Sequence, residues 1–122
     1  MEKAKVYFTN LRATGDRSLP QKLCKLLERA GMMDMDLQGK FTAVKIHFGE
    51  LGNLAFLRPN YAKVVVDALK EMGTMPFLTD CNTLYVGTRR NALEHLETAY
   101  LNGFSPLQTG CHVIIGDGHG VP

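Results

Sequence analysis

The sequence predicts an α/β protein, a three-layer sandwich around a mostly parallel sheet of about four strands. Two observations carry that expectation. Short runs rich in β-branched and aromatic residues alternate with amphipathic helical stretches, strand–helix three times and then a strand. Glycine closes each helical run, at Gly31, Gly73 and Gly103. Strands that alternate with helices are parallel and joined by right-handed crossovers.

The elements follow in order. Lys5 to Thr9 (KVYFT) reads as the first strand, and Asn10 to Arg17 as a loop. Ser18 and Gln21 form a capping box, with Pro20 in the first helical turn. Leu19, Leu23, Leu26, Leu27 and Ala30 recur at helical spacing, and Cys24 is placed on the same apolar side as a core residue. Phe41 to Phe48 reads as the second strand, Gly49 to Asn53 as a turn. Pro59 opens a helix carrying Val64, Val65, Ala68, Leu69 and Met72. Pro76 to Thr79 is a third strand and Asp80 to Thr88 a loop. Arg89 to Asn102 reads as a helix with Ala92, Leu93, Leu96, Ala99 and Tyr100 inward, and His112 to Gly116 as a fourth strand.

A chain of 122 residues suits one domain with a real core. Its net charge of +2 is too small to argue for wholesale binding of nucleic acid or membranes. No apolar run approaches the roughly 20 residues of a membrane span, and the opening MEKAKVYF is too charged for a signal peptide. The expected location is cytoplasmic. Three cysteines without a C-x-x-C pair argue against a disulfide framework or a metal cluster of their own. The GDGHGVP tail directly after the fourth strand reads as the mark of a shortened or N-terminal part of a larger α/β protein.

In a parallel α/β sheet, ligands bind where strands end and helices begin. Arg12, Arg17, Arg58, Arg89 and Arg90 all fall at such positions; only Arg29 lies elsewhere. A positive charge at a helix N-terminus opposes the helix dipole, so its repetition suggests an anion site. Gly87 to Asn91 (GTRRN) combines a permissive glycine with two guanidinium forks, suited to phosphate or carboxylate. The alternative is that Arg89 and Arg90 pair with Glu50, Asp80 or Glu94.

Lys45 and His47 share one strand face by the two-residue period. Lys45 needs Asp80, Asp117 or an anion as partner if it is covered, and no partner if its strand lies at an edge. His47 and Asp80 are the candidates for proton transfer. Arg58, Asn82, Arg89, Arg90 and Lys45 are the candidate ligand-binding set. Glu50, Asp117 and His119 are the candidate ligands for a hard or borderline divalent metal, without an H-x-x-H or D-x-D spacing behind them. His95 reads as structural, and His112 as belonging to the opposite sheet edge.

Lys45 to Tyr61 (KIHFGELGNLAFLRPNY), Phe77 to Phe104 (FLTDCNTLYVGTRRNALEHLETAYLNGF) and Val113 to Gly118 (VIIGDG) resemble the domain of unknown function 362 family, and Lys5 to Thr14 fits it too. The resemblance covers nearly the whole chain but only the N-terminal part of the family's length. It implies an α/β fold, a prokaryotic cytosolic setting and association with iron–sulfur chemistry, since many members carry ferredoxin-type cysteine clusters further along. No cluster residues match within this chain.

Two functions are expected on these grounds. One is an enzyme or enzyme fragment acting on a small anionic metabolite. The other is a non-catalytic module that docks a ferredoxin-like segment or partner, or self-associates. Nucleic acid and membrane are not expected partners.

Overall fold

A computed structural model describes residues 2–119 and divides the chain into two compact units, Met1–Asp36 and Leu37–Pro122. The last residues of the GDGHGVP tail, 120–122, lie outside the described residues.

In the N-terminal unit the expected first strand does not form. Residues 5–9 run without strand pairing, with Val6 88% and Phe8 85% exposed. Strand propensity is realised only through a neighbouring ladder and a packed face, and this segment has neither. Helix α1 (Leu19–Arg29) begins as its sequence dictates. Gln21 N donates to Ser18 Oγ at 3.3 Å and Ser18 N to Gln21 Oε1 at 2.8 Å. Gly31, at φ +85°, ends it in the left-handed region that glycine enters without a Cβ penalty. Lys22 is the buried side chain of α1. Its Nζ donates to Asn10 O, Asn10 Oδ1 and Arg12 O at 2.7, 2.7 and 2.8 Å, which ties the preceding loop to the helix. Cys24 is exposed rather than core. At about 100° per residue it falls well to one side of the stripe running through Leu19, Leu23, Leu26 and Ala30.

The second unit holds the sheet. Strands β1 (Phe41–Lys45), β2 (Met75–Asp80) and β3 (Val113–Ile115) are all parallel, in the order β1-β2-β3. The α/β class and the parallel pairing are as expected, with three strands instead of four. Helix α2 (Pro59–Glu71) connects β1 to β2; α3 (Ala92–Leu101) and the short α4 (Pro106–Thr109) connect β2 to β3. Register puts Val44 beside Leu78, Leu78 beside Val113, and Asp80 beside Ile115. Leu78, Val113, Ile115, Val66, Ala99, Phe104 and Phe48 close the core. Phe48 sits at its centre, edge-on to Phe104 at 5.3 Å and to His95 at 5.7 Å between ring centroids.

Helix α3 starts at Ala92, three residues after the expected start at Arg89. Asn91 caps it: Glu94 N donates to Asn91 Oδ1 at 3.1 Å, and Asn91 Nδ2 donates to Glu94 Oε2 at 2.8 Å. Arg89 and Arg90 therefore lie in the loop before the helix, not in its first turn. The inward face also differs. His95, Thr98 and Ala99 are buried, whereas Leu93 is 70% and Tyr100 44% exposed. Two polar groups inside the helix packing thus displace two apolar ones, and each polar group needs a partner.

Candidate functional site

Asp80 ends the central strand β2, and the core side of that strand carries Leu78 and then Asp80. Alternation aims both side chains at the covered face. Asp80 is only 6% exposed, so its carboxylate has left most of its water. Three nitrogen-bearing side chains approach it: Lys45 Nζ at 3.1 Å, Arg89 NH1 at 3.6 Å and His95 Nε2 at 3.8 Å. Its own Oδ1 also accepts from Cys81 N at 2.9 Å.

Arg89 is the second buried charge, 3% exposed. Its guanidinium reaches past Asp80 to Glu50, with Nε donating to Glu50 Oε1 at 3.0 Å and NH2 meeting the same oxygen more closely still. Tyr85 Oη completes the knot. It donates to Glu50 Oε1 and accepts from Arg89 NH2, both at 2.5 Å. The hydrogen bonds that Glu50 accepts from Arg89 and then from Tyr85 hold its carboxyl below the ordinary glutamate value of 4.5. Gly49 makes the turn that presents Glu50. Its φ is +84°, and a Cβ there would stand 2.6 Å from Phe56 Cδ1 and 2.7 Å from Asn102 Nδ2.

His95, fully buried on α3, faces two different neighbours. Asn82 Nδ2 donates to Gly118 O at 2.8 Å, which turns Asn82 Oδ1 toward His95 Nδ1, 3.1 Å away. A carbonyl oxygen only accepts, so that network assigns the proton to Nδ1. Nε2 is then a bare acceptor in the neutral ring, 3.8 Å from Asp80 Oδ2 and without a hydrogen-bond partner. Burial pushes the imidazole below its usual pKa, while the Asp80 charge pulls the other way.

The sequence-predicted residues therefore separate into groups. Lys45, Asp80, Arg89 and Glu50 meet. Asn82 joins them through His95, and its backbone N–H donates to Asp117 Oδ1 at 2.9 Å. His47 lies beyond the end of β1 and is exposed, and its Nδ1 accepts from Gly49 N at 2.9 Å. The imidazole beside Asp80 is His95, not His47. Arg58 is exposed at the N-terminal boundary of α2 and gives that helix no side-chain cap. Arg90 and His119 are exposed. Among the described residues no three His, Cys, Asp or Glu side chains, Glu50, Asp117 and His119 included, stand close enough to hold a metal ion, and Glu50 engages Arg89 and Tyr85.

His95 is the member that pattern reading set aside. Its signal was present: it lies on the same helix face as Ala92 and Ala99, so its ring had to be buried and had to find partners.

This arrangement defines a parallel α/β protein with a buried charge cluster at the carboxyl edge of its sheet. The profile of the family described as Domain of unknown function (DUF362) matches residues 42–121, more than half of the chain, and the chain belongs to that family. No curated protein and no solved structure matches it. No helix among the described residues is long and apolar enough to cross a membrane.

Proposed function

We propose that the chain is a cytoplasmic ligand-binding domain whose site is the carboxyl edge of the sheet around Asp80, and that its ligand is a small anion. The observation that carries this reading is the Lys45–Asp80 pair. Asp80 is closed to solvent, yet Lys45, 3.1 Å away, is 70% exposed. Lys45 is thus the cation that an incoming phosphate or carboxylate meets first, while Arg89 keeps Asp80 compensated from within. Arg58, Arg90 and Asn82 belong to the same sequence-derived ligand set and give the anion further donors. Burying several charges is rarely the most stable choice for a fold, and such clusters concentrate at functional positions. If chemistry follows binding, Asp80 and the bare Nε2 of His95 are the groups able to hold a proton, with His47 at the solvent side.

The test is a thermal-shift titration with inorganic phosphate, citrate and divalent metal salts, compared between the natural chain and Lys45→Gln. A ligand present at about a hundred times its Kd stabilises by about 2.7 kcal/mol, a readily visible shift. Stabilisation by an anion that Lys45→Gln weakens supports the reading; stabilisation equal in both proteins removes it. A divalent metal that stabilises alone would move Asp80 and Asp117 into a metal-binding role.

A second reading is a docking module for a ferredoxin-like partner, consistent with the family resemblance to iron–sulfur proteins. The loop after β2 favours it, because Leu84 is 98% and Val86 85% exposed beside the charge cluster. Replacing both by serine should leave the fold intact and abolish such docking.

A further inference from the structure

The N-terminal unit holds a cavity of about 160 Å³ lined by its own residues alone. One face of α1 supplies Lys22, Lys25, Leu26 and Arg29, which the three- and four-residue spacing brings onto one side of the helix. Phe8 and Arg17 come from the segment before the helix. Lys22 is already spent on three backbone and side-chain oxygens. Arg17, Lys25 and Arg29 are exposed, and among the described residues no carboxylate pairs with any of them. Of the nearby acids, Asp16 accepts from Thr14 Oγ1 at 2.7 Å, and Glu28, three residues after Lys25, is exposed and forms no ion pair with it.

Three uncompensated cations around one hollow repel each other, and like charges three or four residues apart on a helix destabilise it. An anion in the hollow reverses that sign. Two arginine forks suit the oxygens of a phosphate, and a dianion balances such a cluster better than a single carboxylate. Phe8, 85% exposed, and Leu26 add an apolar wall that inorganic phosphate alone would leave uncovered.

We propose that this cavity binds a small organic phosphate monoester. The phosphate lies between Arg17, Lys25 and Arg29, and the organic part lies against Phe8 and Leu26. The site shares no residue with the Lys45–Asp80 edge, so either can stand without the other.

The experiment is a titration of the full chain with phenyl phosphate, followed by backbone amide chemical shifts at constant ionic strength. Phenol, inorganic phosphate and a short single-stranded oligonucleotide serve as comparisons. The proposal expects saturable shifts in residues 8–17 and 22–29, with phenyl phosphate binding more tightly than either of its halves. Lys25→Gln with Arg29→Gln should weaken it at least about tenfold, and Arg17→Gln should weaken it separately. All three side chains are solvent-facing, so these variants keep the fold, which circular dichroism verifies. Lys45→Gln should leave this affinity unchanged. The proposal is overturned by shifts that never saturate or that map to residues 45–50 and 80–89. Undiminished affinity in the charge variants overturns it too, as does binding of the oligonucleotide but not of phenyl phosphate.

Discussion

The Arg89 guanidinium lies 3.6 Å from the Asp80 carboxylate, and each side chain is more than nine-tenths closed to solvent. Neither charge could be buried alone. Desolvating an isolated ion costs several kcal/mol, and only a well-placed partner offsets it. Arg89 goes further by engaging Glu50 as well, so one guanidinium organises two carboxylates that come from different strand ends.

Arg89→Ala should therefore be expensive. It takes the buried cation away from both Asp80 and Glu50 and leaves Asp80 only the exposed Lys45, and we expect a loss of about 3–5 kcal/mol in urea unfolding. Lys45→Gln removes the solvent-facing partner of the same carboxylate and should cost less than about 1 kcal/mol. Comparable losses in the two variants would show that the burial asymmetry carries no energetic weight.

The acid limb of stability should carry the signature of Glu50. Its folded carboxyl titrates below the ordinary glutamate value because Arg89 and Tyr85 hydrogen-bond to the charged form. A depressed folded value means that the stabilisation is fully present above the unfolded value, about 4.5, and is lost as pH falls below it through the folded value. Unfolding free energies of Glu50→Gln should be flatter than those of the natural chain across that window. Parallel curves would contradict the assignment.

His95 should shape the region just above. Burial lowers its folded pKa beneath the unfolded value of 6.5, against an opposing pull from Asp80. Stability from the neutral ring is thus present above about 6.5 and is lost as pH falls below it. His95→Gln should remove this part of the pH dependence while still offering a polar atom to Asn82. Histidine ring NMR would show the Nδ1–H tautomer at neutral pH; an Nε2–H ring would refute the network that orients it.

Gly49→Ala combines two penalties, a left-handed backbone and a Cβ within 2.6 Å of Phe56. Roughly 2–4 kcal/mol of destabilisation is expected in thermal or urea unfolding. The substitution should also loosen Glu50 from Arg89, visible as a Glu50 carboxyl pKa that moves back up toward its ordinary value.

The sequence by itself determined the α/β class, the parallel strands, the capping box at Ser18 and Gln21, and the rim on which Lys45, Asp80 and Arg89 meet. Those features rest on rules that act within a few residues: periodicity, caps, glycine and proline. Tertiary structure alone decided the rest. Residues 5–9 have strand composition but no strand beside them, and propensity without a ladder does not hold. Arg89 carries the charge expected of an anion ligand, but Asn91 moved the helix start past it. Glu50, 39 residues away in sequence, took its guanidinium instead. His95 looked like packing until the fold set its ring between Asn82 and Asp80. A charged or polar side chain declares its chemistry locally, but its partner is fixed by which distant segments are desolvated together, and that is a property of the folded chain.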